Sequence, residues 1–173
     1  MKKLLIPLIV LVLVLAACGN GSDDNGDKND KKTYKQDDGK KVKVPKHPKR
    51  VVVLGTTYAG GLKQLDTNIV GVANLVDDSK VLKKKFKGVK KVDPEKVESV
   101  AKLKPDLIVT YNTDKNLKKL NKIAPTVAYD YQKHDYKDQH KELGKLVGKE
   151  DKAQKWIDAV SYTHLRAHET LRY

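Results

Sequence analysis

The chain repeats one arrangement, in which a short run of β-branched and apolar residues precedes a segment with helical periodicity. The runs are RVVVL at 50–54, NIVGVA at 68–73, DLIVTY at 106–111 and PTVAYDY at 125–131. Repeated strand–helix–strand units place strands parallel in one sheet, with the connecting helices on its faces. The sequence therefore predicts an α/β fold built on a parallel sheet flanked by helices.

Helix start and packing signals lie between the runs. Thr56 or Thr57 is expected to be the N-cap of the first helix, and Asp93 followed by Pro94 predicts the start of a later one. Ahead of the first run, Asp38-Gly39 predicts a hairpin turn. The apolar positions that we expect to face the core on the later helices are Leu117, Leu120, Leu143, Leu146 and Val147.

The N-terminus carries the pattern of an export signal. A short positive start precedes an apolar segment at 4–17, which is shorter than the about 20 residues that cross a bilayer core. Leu15-Ala16-Ala17-Cys18 resembles the lipobox of bacterial lipoproteins, in which the cysteine is lipidated and becomes the new N-terminus. We predict a signal peptide at 1–17 and a lipidated Cys18 with a flexible tether at 18–32. The alternative is an ordinary secreted protein with a buried thiol.

The formal net charge of +14 comes mostly from lysine. A solvated, lysine-rich surface accounts for this charge. Nucleic-acid binding normally uses arginine forks and stacked aromatic side chains on one face. Both are scarce here, and export argues against nucleic acid as well. Attraction to an anionic membrane surface is a secondary alternative.

Tyrosines follow three of the predicted strands. Because ligands of parallel sheets bind beyond the carboxyl ends of the strands, we predict Tyr58, Tyr111 and Tyr131 as ligand-contacting residues. Asn112 and its neighbour Thr113 are candidate hydrogen-bond donors at the same edge. Tyr129 shares the face of Tyr131 if the last strand continues that far. The alternative is that each tyrosine caps the sheet edge as a half-buried side chain; the remaining tyrosines, including Tyr34, are interpreted as structural or incidental.

Five segments follow one another at a spacing similar to that of siderophore-binding lipoproteins, the substrate-binding components of iron-siderophore ABC importers. They are KHPKRVVVL, TYAGGLKQL, VESVAKLKPDLIV, KIAPTVAYDY and LGKLVGKEDKA. The resemblance is to the ferric-hydroxamate-binding lipoproteins of Gram-positive bacteria in particular. It implies two α/β lobes joined by one long helix, with the ligand in the cleft between them. We expect the chain to supply the N-terminal lobe at 33–149 and the start of the inter-lobe helix at 150–160, without the C-terminal lobe.

The resemblance also implies a function. A monomer, lipid-anchored at the extracellular side of the cell membrane, would capture a ferric siderophore and deliver it to an ABC permease. Because hydroxamates fill the coordination positions of Fe(III), such a protein needs aromatic faces and hydroxyl donors instead of metal ligands. Tyr131 matches a siderophore-facing tyrosine of the family. Glu98 matches an acidic residue that docks on permease arginines, although a first-turn glutamate is also favoured by the helix dipole.

Patterns for metal binding or catalysis are weak. His134 and His140 are expected on the surface and His47 in a loop. Neither a nucleotide-binding glycine motif nor a nucleophile elbow is present in the sequence. We therefore predict that the protein is not an enzyme, and that it has no cofactor and no metal site.

The segment SYTHLRAHETLRY at 161–173 departs from the lysine-rich composition before it. It resembles translated sequencing-adapter DNA, and we expect a non-native tail. The alternative is a metal site that uses His164 and His168, one helical turn apart. Two other functions stay open: binding of another iron complex or a corrinoid, and an adhesive or structural role as a surface lipoprotein.

Overall fold

The computed structural model describes residues 30–170, with side chains through residue 163. The predicted signal peptide and Cys18 lie outside the described residues, as do the side chains of His164 and His168. The first described strand is β1 (Lys31–Lys35), which pairs antiparallel with β2 (Lys41–Pro45). Because β1 begins at Lys31, it takes up the last two residues of the predicted tether.

The hairpin turn between β1 and β2 lies where it was predicted. Gly39 adopts a φ of +82° there, a conformation that glycine reaches without steric cost. The Asp38 carboxylate accepts a hydrogen bond from the Lys40 amide at 2.9 Å. The hairpin is a separate two-stranded sheet beside the main one.

The main sheet has five parallel strands in the order β5-β4-β3-β6-β7, which confirms the predicted fold class. They are β3 (Val51–Val53), β4 (Ile69–Ala73), β5 (Lys90–Val92), β6 (Leu107–Tyr111) and β7 (Thr126–Tyr129). Strand order reverses between β3 and β6, which makes their carboxyl ends the topological switch point where ligands of such sheets bind.

Helices cover both faces of the sheet. They are α1 (Thr56–Gln64), α2 (Lys80–Lys85), α3 (Val97–Ala101), α4 (Leu117–Leu120), α5 (Tyr136–Val147) and α6 (Glu150–Thr170), with a 3₁₀ turn at Asn74–Asp78. Alternate residues of β3 enter opposite cores: Val51 and Val53 pack on the side of α1 and α5, whereas Val52 packs on the side of α3 and α4. This alternation follows from the two-residue period of a strand.

Two predicted helix starts were wrong. Gly55, not Thr56 or Thr57, is the N-cap of α1, because both threonine hydroxyls bond elsewhere, as described below. Helix α3 begins only at Val97, with Lys96 as its N-cap. Asp93 instead accepts a hydrogen bond from the Glu95 amide at 3.0 Å, which closes a local turn before the helix.

The last two helices agree more closely with the sequence pattern. Leu143, Leu146 and Val147 of α5 are buried as predicted, and so is Leu120 of α4, whereas Leu117 is only partly buried. Helix α6 begins at Glu150, the residue at which the long helix was predicted to start, and it continues to Thr170. It therefore extends past residue 160 into the predicted tail, whose non-native origin stays a prediction.

Strand β7 is one outer strand of the sheet, and the hairpin lies beside it. The Ala128 amide of β7 donates a hydrogen bond to Oε1 of Gln36 at 2.8 Å. The Asp130 amide, just past the strand, donates to Oδ2 of Asp37 at 3.0 Å. Side chains of the hairpin turn thus satisfy amides on the side of β7 that faces away from β6.

Candidate functional site

The carboxyl ends of β3, β6 and β7 bring the predicted tyrosines together. Tyr111 ends β6 and is paired in register with Tyr129, which ends β7. Tyr58 lies in the first turn of α1, directly after β3. Ring centroids are 5.4 Å apart for Tyr58 and Tyr111, 5.0 Å for Tyr58 and Tyr129, and 6.2 Å for Tyr111 and Tyr131. These residues, with Tyr34 at 6.3 Å from Tyr129, are called the tyrosine cluster below.

The tyrosine cluster runs from the core to the surface. Tyr58 is 1% exposed and Tyr129 is 2% exposed, whereas Tyr131 is 54% exposed. Tyr111 lies between them and is half-buried. Of the three tyrosines predicted to contact a ligand, Tyr111 and Tyr131 therefore reach the surface and Tyr58 lies beneath Tyr111. Tyr129 and Tyr131 do not share an environment, because β7 ends at Tyr129.

The hydroxyl of Tyr111 is fixed at the start of α1. It lies 3.1 Å from Oγ1 of Thr56 and 2.8 Å from Oγ1 of Thr57, and it accepts a hydrogen bond from the Thr57 amide at 3.1 Å. The oxygen thus sits at the positive end of the helix dipole. These bonds hold the ring of Tyr111 in one orientation, in contact with the rings of Tyr58 and Tyr131.

Gly55 makes the close packing of the cluster possible. A Cβ atom at this position would lie 2.7 Å from Cδ2 of Tyr58 and 3.4 Å from Cζ of Tyr111. Neither ring could shift easily, because each is packed on other tyrosines. A residue with a side chain at position 55 would therefore push the two rings apart.

The buried tyrosines stay neutral. Burial raises the pKa of Tyr34, Tyr58 and Tyr129 well above the usual value for a phenol. All three therefore keep a hydroxyl proton to donate. Tyr34 and Tyr129 use their hydroxyls with each other at 2.8 Å. The buried Tyr58 hydroxyl has no hydrogen-bond partner among the described residues.

Asn112 and Thr113 follow Tyr111 and are both exposed. The Asn112 amide donates to the Tyr129 carbonyl at 2.9 Å, which fixes the backbone while the side chain stays on the surface. Asn112 lines a depression of about 200 Å³ together with Asp37 and Asp130. The Asn112 side chain is accessible to a ligand, and its predicted hydrogen-bonding role stays a prediction.

Glu98 is not part of the tyrosine cluster. It lies in the first turn of α3, which follows β5, and β5 is the outer strand at the opposite side of the sheet from β7. Its side chain is exposed and forms no ion pair within residues 30–163. An exposed, unpaired carboxylate remains available to a partner, and the predicted docking role is carried forward as a proposal.

His47 lies exposed in a loop, as predicted, but the other two histidines are less exposed than predicted. His140 is only 4% exposed and lies 4.2 Å, centroid to centroid, from the Trp156 ring of α6, so the expected surface position was wrong. It shares a helix face with Leu143, Gly144 and Val147, a spacing that indicates burial. His134 is partly buried, with Nε2 2.7 Å from Oδ1 of Asp37. Neither histidine belongs to a candidate metal site, and no group of three His, Cys, Asp or Glu side chains among the described residues could hold a metal ion.

Sequence reasoning missed the contribution of the hairpin to this edge of the sheet. Tyr34 and Tyr129 are 95 residues apart in the chain, and nothing in the local pattern around Tyr34 indicates the contact. The available signal was that Tyr34 is the one large apolar side chain in the strand KKTYK. Among residues 30–170, no helix is long and apolar enough to span a membrane.

The chain matches a protein family, known relatives and several solved structures. The periplasmic binding protein family matches residues 51–172. The iron(3+)-hydroxamate-binding protein FhuD of Bacillus subtilis (strain 168) is 46% identical over 156 residues, which are 86% of this chain and 49% of the relative. Unliganded FhuD2 from Staphylococcus aureus superposes with a TM-score of 0.79 at 55% identity, over 82% of this chain and 52% of that one.

A second structure of FhuD2 from Staphylococcus aureus contains bound ferrioxamine B. It superposes with a TM-score of 0.65 at 55% identity, over 67% of this chain and 45% of that chain. This chain spans about half the length of the relatives that it matches.

Proposed function

Since the chain belongs to the periplasmic binding protein family, we propose that it is the substrate-binding component of an ABC importer for ferric hydroxamate siderophores. It captures the ferric complex outside the membrane and delivers it to the permease. The matched family and relatives are substrate-binding proteins, and the proposal includes that this chain is likewise not an enzyme and uses no cofactor.

One observation carries the proposal: the tyrosine cluster lies at the switch point of the sheet, in a chain 55% identical to a protein solved with ferrioxamine B. A ferric hydroxamate complex is compact and polar at its metal centre and carries hydrocarbon segments. The exposed ring of Tyr131 and the half-buried ring of Tyr111 offer an apolar face with hydroxyls at its rim. That surface suits a ligand whose iron is already fully coordinated.

The remaining parts of the proposal concern the surroundings of the site. Lipid on Cys18 anchors a monomeric protein at the extracellular side of the cell membrane, and relatives include lipoproteins. Glu98 docks on cationic side chains of the permease. One exposed ion pair contributes less than about 1 kcal/mol, so that the role of Glu98 is orientation of the docked complex.

Calorimetric titration of the full chain with ferrioxamine B tests the proposal, with the iron-free ligand as a comparison. We expect saturable binding of the ferric form and weakening of about tenfold, or 1.4 kcal/mol, in Tyr131→Ala. The matched control is Tyr136→Ala, because Tyr136 is 50% exposed but lies on α5, against Trp156. Absence of saturable binding would refute the proposal and leave the other two functions, binding of another iron complex or a corrinoid and an adhesive or structural role.

A further inference from the structure

The loop that carries Tyr131 is held from outside the main sheet by one carboxylate. Oδ2 of Asp37 accepts a hydrogen bond from the Asp130 amide at 3.0 Å, and Oδ1 lies 2.7 Å from Nε2 of His134. The two contacts lie on either side of Tyr131 in the sequence. The Asp37 carbonyl accepts a third hydrogen bond, from Nζ of Lys133 at 2.6 Å.

From this geometry we infer that Asp37 is a positioning residue for ligand binding, which fixes the 130–134 loop so that Tyr131 stands edge-to-face against Tyr111. Asp37 acts through the loop and not by contact with the ligand. The inference rests on the proposed function, since it concerns the same site. It also assigns a binding role to the hairpin, which precedes the residues that the family matches, 51–172.

The environment of Asp37 separates it from an ordinary surface carboxylate. Its side chain is 13% exposed and that of His134 is 20% exposed. The neighbouring pair of Asp38 and Lys40 is 46% and 79% exposed. Solvent weakens exposed pairs strongly and shielded ones less. The Asp37 contacts are therefore able to order a loop, whereas the Asp38 contact stabilises only the hairpin turn.

Other hydrogen bonds near the loop centre are local. The Asp130 carboxylate accepts one from the Gln132 amide at 3.0 Å, and the Asp130 carbonyl accepts one from the Lys133 amide at 3.2 Å. These bonds join residues within the loop and do not tie it to the hairpin. Tyr131, Gln132 and Lys133 are all exposed, and the Tyr131 hydroxyl accepts a hydrogen bond from Nε2 of the adjacent Gln132 at 3.0 Å. Removal of the Asp37 carboxylate would leave the Asp130 amide and the His134 ring without this acceptor. The Tyr131 ring would then sample several orientations, and ligand binding would have to order it again.

Titration with ferrioxamine B of the full chain and its variants tests the inference. We expect Asp37→Ala to weaken binding about three- to tenfold. Asp37→Asn keeps an oxygen for the Asp130 amide and places an NH₂ group near Nε2 of His134, and it should recover part of that loss. Asp38→Ala is the matched control and should bind as the wild-type chain does.

A double-mutant cycle separates positioning from general stabilisation. In a Tyr131→Ala background, Asp37→Ala should cause no further loss of affinity, because the ring that it positions is gone. An equal loss in both backgrounds would overturn the inference while leaving the proposed function intact.

Hydrogen exchange of the ligand-free chain gives a readout that does not depend on binding. The Asp130 amide should exchange faster in Asp37→Ala but not in Asp38→Ala. If the wild-type chain fails to bind ferrioxamine B, the proposed function fails, and exchange alone decides whether Asp37 orders the loop. Unchanged exchange at Asp130 would overturn the inference.

Discussion

The hydroxyl oxygens of Tyr34 and Tyr129 lie 2.8 Å apart in a buried contact between the hairpin and the main sheet. Oε2 of Glu142 on α5 accepts a further hydrogen bond from the Tyr34 hydroxyl at 3.1 Å. One side chain of the hairpin thereby connects β7 and α5. The hairpin is joined to the lobe through this contact, and its turn reaches the Tyr131 loop.

Tyr34→Phe should destabilise the chain by about 1–3 kcal/mol, because the Tyr129 hydroxyl stays buried and loses its partner. Urea denaturation measures the change in the free energy of unfolding. Tyr136→Phe is the matched control, since the Tyr136 side chain is half exposed. Equal stability of the two variants would contradict a structural role for the Tyr34 hydroxyl.

Two glycine-to-alanine substitutions should change stability in opposite directions. A Cβ atom at Gly144 would lie 2.6 Å from Cβ of Ala153 and 3.2 Å from the Lys149 carbonyl oxygen, so that Gly144→Ala forces α5 and α6 apart at a cost of about 1–3 kcal/mol. At Gly60 the nearest atom is Cδ2 of Leu82 at 3.9 Å. Gly60→Ala should therefore stabilise α1 by up to about 1 kcal/mol. Thermal melts of both variants check the two signs, and a stabilised Gly144→Ala chain would disprove the close contact.

Stability should fall as pH drops from 7.5 to 5.5, in part because of His140. Burial lowers the pKa of His140 below its usual value near 6.5. Below that value the unfolded chain binds a proton that the folded chain does not, and unfolding is favoured by at most about 1.4 kcal/mol per pH unit. His140→Phe should reduce the dependence on pH in urea titrations, while His47→Gln, at an exposed position, should not. An unchanged profile in His140→Phe would count against this account.

Asp135→Ala should shorten α5 and lower stability at neutral pH. The Asp135 carboxylate accepts hydrogen bonds from the amides of Asp138 at 2.9 Å and Lys137 at 2.8 Å. These bonds hold the pKa of Asp135 below its usual value, so that the stabilisation is present above that value and is lost as pH falls through the folded-state pKa. Asp135→Asn should keep most of the helix signal in circular dichroism, because asparagine is an equally good N-cap. Equal helix signals in the alanine and asparagine variants would show that the side-chain cap does not stabilise α5.

The β-branched runs were sufficient to predict four of the five parallel strands. Strand β5 was missed because it is short and lysine-rich, with only Val92 of its residues buried. Helix α2 was missed for the same reason: lysines surround Leu82, the residue that packs on the core. Secondary structure at the margin of a sheet needs few apolar residues, and its sequence signal is correspondingly weak.

The position of the site could be predicted from the sequence, but the burial of its individual tyrosines could not. Parallel topology places the ends of β3, β6 and β7 side by side, so that tyrosines at those ends had to be neighbours. The burial of Tyr58 depends on the missing side chain at Gly55 and on Tyr111 lying over it. The contacts of Asp37 with residues 130–134 span more than 90 positions, a separation that local patterns do not report.

Both outer strands of the five-stranded sheet are protected from pairing with a strand of another chain. On one side, Gln36 and Asp37 occupy the outward amides at the end of β7. On the other side, β5 is only three residues long and carries Lys90 and Lys91. Short outer strands and lysine side chains both disfavour pairing with a strand of another molecule. Protected outer strands prevent copies of the chain that meet at high local concentration from templating cross-β polymers.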